Sequence, residues 1–112
     1  MNITNLCQFL LGTEQLTVRQ IMVEEKRISL FIDSTTSKAF CPKCQVESSE
    51  VHSRYIRYPV DLAWADRAVV FNLSVKRFFC RNQDCPKRTF AEQFTGVVLP
   101  YARETNRVIE KQ

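Results

Sequence analysis

The chain has 112 residues, a net charge of +4, and 45% hydrophobic and 25% charged residues. Those are the proportions of one small globular domain, and they exclude a disordered polar tail, a coiled coil and a collagen-like repeat. No apolar run approaches the roughly 18–20 residues that span a bilayer, and no basic segment leads into an apolar stretch at the N-terminus. The expectation is therefore a soluble, cytoplasmic protein with no membrane partner. With only two glycines, Gly12 and Gly96, the chain has no glycine-rich phosphate loop.

In chain order, residues 4–11 form a predicted short helix ended by Gly12. Leu16, Val18 and Ile21-Met22-Val23 read as a strand, and Glu24-Glu25-Lys26-Arg27 as a polar turn. The next strand puts Ile28, Leu30 and Ile32 on one face, with Ser29, Phe31 and Asp33 on the other, so the two strands form a hairpin. Residues 51–60 are a third predicted strand, with Tyr55, Arg57 and Pro59 facing one way and Arg54, Ile56, Tyr58 and Val60 the other. Residues 61–67 are read as a connection. Asp61 and Asp66 fit turn positions there better than a catalytic carboxylate pair. The strongest periodicity follows: Val69, Phe71, Leu73, Val75, Arg77 and Phe79 alternate strictly over residues 68–80. Thr89, Phe90 and Phe94 suggest a short extended piece. From Pro100 the spacing of Tyr101, Ala102, Thr105, Val108 and Ile109 predicts a helix reaching the last residue. That helix has no visible partner or C-cap, so the chain reads as the front part of something longer. The predicted class is α+β, β-rich, with an N-terminal hairpin and a C-terminal helix.

Five cysteines in a chain without an export signal do not make a disulfide framework. Cys7 stands alone and is expected to pack as a small hydrophobe. Cys41-Pro42-Lys43-Cys44 and the pair Cys80 and Cys85 are two closely spaced thiol pairs. A long insert between them lets two tight turns face each other, as a tetrahedral zinc site requires. A redox role for Cys41 and Cys44 would want an apolar helical stripe after the second cysteine. The residues there are Gln45-Val46-Glu47-Ser48-Ser49-Glu50, and Cys80 and Cys85 would be left unexplained. A catalytic zinc keeps an open position; four thiolates leave none, so the expected zinc is structural. His52 is expected to make a hydrogen bond rather than replace a cysteine.

Charge is unevenly spread. Residues 1–50 carry five basic and six acidic side chains, net −1, and residues 51–112 carry eleven and six, net +5. The basic residues sit among aromatics, in Arg54-Tyr55-Ile56-Arg57-Tyr58 and Lys76-Arg77-Phe78-Phe79, then at Arg81, Lys87 and Arg88. A basic surface on a metal-stiffened sheet is the footprint of a nucleic-acid binder. Arg54, Arg57, Lys76, Arg77, Arg81, Lys87 and Arg88 are the predicted phosphate contacts. The alternative is an ordinary solvated face.

Several composite motifs occur in order: Cys41-Pro42-Lys43-Cys44, His52-Ser53-Arg54-Tyr55-Ile56-Arg57, Asp61-Leu62, Lys76-Arg77-Phe78-Phe79-Cys80 and Cys85-Pro86-Lys87-Arg88-Thr89-Phe90-Ala91-Glu92. Together they resemble the N-terminal zinc-binding domain of the ISL-three family of bacterial insertion-sequence transposases. Tyr101-Ala102-Arg103-Glu104-Thr105 resembles the stretch leading into that family's helix-turn-helix region. The chain departs from the family pattern at Ala63, where proline is usual, and at Asp66, where glycine is usual; both differences concern a turn. Residue patterning and the resemblance together give the expected division: a helix and hairpin over residues 1–37, a zinc-binding domain over 38–97 and the truncated start of a helical region over 98–112. The resemblance also implies a bacterial, nucleoid-associated protein of DNA transposition whose partner is the terminal inverted repeats of its element. The family's RNase-H-like catalytic domain would lie beyond the last residue, so no enzyme activity is expected of this chain. The competing expectation is a zinc-stabilised interaction module mediating transposase self-association, with a homo-oligomer as product.

Overall fold

A computed structural model describes residues 13–111 of the chain; the predicted helix over residues 4–11 and Cys7 lie outside them. The first two strands, β1 (Leu16–Val23) and β2 (Arg27–Ser34), form the predicted antiparallel hairpin. The apolar positions of β1 change phase, from 16 and 18 to 21 and 23. A one-residue bulge explains this, because the register slips between Val18 and Gln20. Arg19, the extra residue, pairs with Asp33 at 3.1 Å and lies over the Phe31 ring.

A small hairpin of β3 (Ala39–Phe40) and β4 (Glu47–Ser48) frames the first pair of cysteines. After it come β5 (Val51–Arg57), β6 (Val60–Trp64), β7 (Arg67–Phe79) and β8 (Thr89–Ala91). The thirteen-residue β7 is the spine. β2 pairs with it in parallel, while β5, β6 and β8 pair antiparallel. The registers require β2 and β8 to share one edge of β7, and β6 and β5 the other. At about 3.3 Å per residue β7 spans roughly 40 Å, most of the molecule's 50 Å long axis.

β7 serves two cores. Val69, Phe71, Leu73 and Val75 are buried as their alternation predicts, beside Ile28, Leu30 and Ile32 of β2 and Leu16 and Val18 of β1. Phe94 and Val98, from the segment after β8, cover this cluster. Beyond Val75 the phase changes: Phe78 is buried, whereas Arg77 and Phe79 are half-exposed. Phe78 stacks on Phe90 with ring centroids 5.8 Å apart and packs with Cys41 in a second, smaller cluster. The strand therefore hands its burial to the opposite face where it leaves the main core and enters the cysteine lobe.

Two expectations are corrected. Residues 61–67 are not simply a connection, because Asp61 lies inside β6 and is buried. The turn is confined to Ala65 and Asp66, with φ of 50° and 62°. Two successive positive values are the signature of a type I′ hairpin turn. The helical share also shrinks to α1 (Asn106–Lys111), six residues in a β-rich molecule. Pro100 and Tyr101 form a turn instead of opening a helix, since the Ala102 N–H returns to the Leu99 carbonyl at 3.1 Å and Tyr101 has φ 63°. The chain then runs beside β6: the Val60 N–H donates to the Arg103 carbonyl and the Thr105 N–H to the Val60 carbonyl. With the Arg103 carbonyl and the Thr105 N–H taken up by β6, the first i to i+4 bond is the one from the Ile109 N–H to the Thr105 carbonyl at 3.2 Å, so α1 begins only after Thr105.

Candidate metal centre

Each pair of cysteines sits at the end of a short hairpin. In the first, the Cys41 N–H donates to the Val46 carbonyl at 3.0 Å and the Gln45 N–H returns to the Cys41 carbonyl at 2.8 Å. Gln45 closes this knuckle at φ 65°. In the second, the Cys80 N–H donates to the Arg88 carbonyl and the Cys85 N–H to the Asn82 carbonyl. The two knuckles face each other across the end of β7.

The four sulfur atoms lie within 4.8 Å of one another. Two separations that cross between the knuckles are 4.0 Å for Cys41 and Cys85 and 3.7 Å for Cys44 and Cys80. With Zn–S near 2.3 Å, a regular tetrahedron has S···S edges of about 3.8 Å. The cluster therefore has the size and composition of a four-thiolate zinc site, and this donor set favours zinc among common divalent ions. Zinc held by Cys41, Cys44, Cys80 and Cys85 would have a filled coordination shell, and its role is to tie two hairpins together. Cys41 is fully buried, whereas the other three are half-buried.

The protein supplies N–H donors to the sulfurs. The backbone N–H two residues ahead serves in three cases: Val46 for Cys44, Asn82 for Cys80 and Lys87 for Cys85. The Asn82 side chain also reaches Cys44; with this amide as the main cause and the Val46 N–H second, the Cys44 thiol is lowered to about 6. At Cys80 the Asn82 N–H lowers the pKa, but burial and the neighbouring sulfurs prevail and push it up to about 12. Burial foremost raises Cys85 as well. Cys44 is thus ready to ionise, while Cys80 and Cys85 hold their protons until a cation displaces them. Asn82 was not singled out from the sequence; its position two residues after Cys80 is the signal that could have found it. His52 lies apart from the cluster, hydrogen-bonded to Ser53 and edge-on to Phe79.

The predicted basic contacts fall into two groups. Arg57 donates to the Leu99 and Ala102 carbonyls, and Lys76 to the Thr36 carbonyl. Arg81 pairs with Glu50 at 2.6 Å and stacks over Phe79. Those three are engaged within the protein. Arg54, Lys87 and Arg88 are exposed with no ion pair to any described residue, and Arg77 lies over the Tyr55 ring at 5.4 Å. Glu92, named only within a motif, is a buried acceptor: the Ser34 and Thr36 hydroxyls and the Lys76 N–H all donate to it.

Two facing knuckles, a four-cysteine cluster and a β-rich scaffold define a zinc ribbon. Residues 37–85, which hold all four cysteines, match the family model for the zinc-finger of transposase IS204/IS1001/IS1096/IS1165. This segment is therefore similar to the zinc finger of ISL3-type transposases, and its four cysteines are positioned to bind one metal ion. No curated protein and no solved structure gives a significant match. Among the described residues, no helix is long and apolar enough to cross a membrane.

Proposed function

We propose that the chain is a DNA-binding front domain of a transposase that recognises the terminal inverted repeats of its element. The match of the cysteine-bearing segment to a transposase zinc finger carries this reading. Its support is the charge of the second half and the exposure of Arg54, Lys87 and Arg88 around the zinc lobe. The zinc fixes the two knuckles, and the cations on and beside them meet the phosphate backbone. Titration of the zinc-loaded chain with terminal-repeat and scrambled duplexes at several salt concentrations tests the reading. Salt-dependent binding with preference for the repeat is expected; no binding even at low salt would overturn it.

A second reading is self-association. Ile56, Tyr58, Val60 and Trp64, on and between the edge strands β5 and β6, are all exposed. An apolar run of this kind suits a protein contact. Sedimentation of the DNA-free chain separates the readings, since only the second requires a dimer.

A further inference from the structure

A groove of about 310 Å³ lies between the second knuckle and the turn at residues 99–102. That volume falls within the roughly 300–1,000 Å³ range of small-ligand sites. Tyr55, Arg77, Lys87 and Tyr101 line it. Arg77 and Tyr55 are already stacked, which keeps the guanidinium beside an aromatic face. Glu92 also borders the groove, but its carboxylate is occupied by the three donors described above.

Tyr101 is the unusual residue. It occupies the third position of a turn with proline in the second, and its φ is 63°. That pattern is a type II turn, where glycine is preferred because a side chain is strained. The tyrosine is also 99% exposed, so no packing offsets the strain. Arg57 holds the turn in place through the carbonyls of both its end residues, Leu99 and Ala102. A bulky aromatic kept exposed in a conformation it disfavours points to a use outside the fold.

We infer that this groove binds an unpaired nucleotide of DNA, with the base against Tyr101 and Tyr55 and the phosphate against Arg77 and Lys87. Aromatic faces beside a basic channel are how proteins hold single strands, and such stacking requires a base whose face is free. A fully paired duplex offers no such face, so the site selects a frayed, flipped or single-stranded segment. This inference rests on the DNA-binding reading and adds the strand state recognised.

The test compares the zinc-loaded full chain on a blunt duplex, the same duplex with a single-stranded extension, and oligothymidylate. Tyr101→Gly is the informative variant, because glycine suits the turn and the fold should melt no lower than the wild type. It should weaken binding to the extension and to oligothymidylate by roughly 5- to 100-fold, leave blunt-duplex binding unchanged, and be rescued by Tyr101→Phe. A Tyr101→Gly protein that binds all three probes like the wild type would overturn the inference and leave the DNA-binding reading intact. If the wild type binds none of the probes at low salt, both fall. Tyr55→Leu is a second check, with the same selective loss expected; equal loss on every probe would count against stacking.

Discussion

The guanidinium of Arg107 lies against the carboxylate of Asp61, with Nε 2.6 Å from Oδ1 and a second contact to Oδ2. The Thr105 hydroxyl donates to the same Oδ1 at 2.9 Å. The Asp61 side chain is 4% exposed, and it forms an ion pair with Arg107, itself 39% exposed. The pair fastens the start of α1 to β6, at the point where the backbone of residues 103–105 already follows that strand.

Arg107→Ala should therefore leave a buried carboxylate without its counter-charge. Breaking a fully buried pair costs about 3–5 kcal/mol. The partial exposure of the arginine lowers the expected loss to about 2–3 kcal/mol. Urea unfolding of the variant measures it, and a loss below about 0.5 kcal/mol would show that this latch does not hold the end of the chain.

The latch also shows where sequence patterns stop. Asp61 reads as a turn residue because aspartate favours turns and the apolar run breaks there. Its burial depends on an arginine 46 residues away, and no local period reports such a partner. The alternation of Val69, Phe71, Leu73 and Val75 was legible because one continuous core lies on that face. It misled at Arg77 and Phe79, where the zinc lobe adds a core on the other face. The helix expected from Pro100 failed for a related reason: the spacing of Tyr101, Ala102 and Thr105 fits 3.6 residues per turn, but residues 99–102 close a tight turn and the backbone of Arg103 and Thr105 is bonded to β6. The four cysteines were fully legible, since metal ligands are recognised by residue type and spacing before any packing is known.

Loss of a zinc ligand should be far more damaging than loss of the latch. Structural zinc contributes about 10–16 kcal/mol in small zinc-finger peptides, comparable to or above the whole stability of a domain. Cys41→Ser and Cys85→Ser should each lose the metal and the order of the knuckles, including the Phe78 and Phe90 stack. Cys7→Ser should retain one zinc per chain. Metal analysis and near-ultraviolet circular dichroism of the purified proteins check this, and full zinc occupancy in Cys85→Ser would refute the ligand set.

Zinc binding should be coupled to protons with a definite sign. In the metal-free fold Cys44 is lowered to about 6, so at pH 7.5 it is mainly thiolate, while Cys80, pushed up to about 12, and Cys85, also raised, stay protonated. For the apo protein the raised groups favour the fold below their unfolded pKa, and this contribution fades as pH rises. Cys44 does the reverse: its contribution is present above its ordinary value and is lost as pH falls through about 6. Zinc must displace at least the protons of Cys80 and Cys85, so affinity should fall by about 100-fold or more per unit drop in pH between 7.5 and 6.5. Calorimetry in buffers of different ionisation enthalpy counts the protons. Release of clearly fewer than about two per zinc would contradict this charge state.

Gln45 closes the first knuckle at φ 65°, a conformation that costs a residue with a side chain about 1–2 kcal/mol. Its side-chain amide recovers part of this by donating to the Pro42 carbonyl at 3.2 Å. Gln45→Gly should be close to neutral, because relief of strain is offset by that lost bond and by a more flexible unfolded chain. Gln45→Val should destabilise by about 1–2 kcal/mol and speed zinc loss, since a β-branched side chain fits this region worst. Rates of zinc transfer to a chelator rank the three proteins, and equal rates for valine and glycine would show that the knuckle does not depend on this angle.

The last prediction separates cations that serve the fold from those available to a ligand. Arg57 is spent on the carbonyls of the 99–102 turn, whereas Arg77 is stacked on Tyr55 and borders the groove. On the DNA-binding reading, Arg77→Ala should weaken binding to every sequence and flatten the log-log salt dependence by about one unit, the change expected from one lost phosphate contact. Its melting temperature should change little. Arg57→Ala should do the opposite, lowering stability by about 1–3 kcal/mol because two backbone carbonyls lose a charged donor. Its salt slope should remain that of the wild type wherever the protein is folded. Parallel denaturation and salt titrations of both variants decide the matter. If Arg57→Ala flattens the slope and Arg77→Ala does not, the cation that meets phosphate is the one on the turn, and its contacts to Leu99 and Ala102 must open when DNA binds.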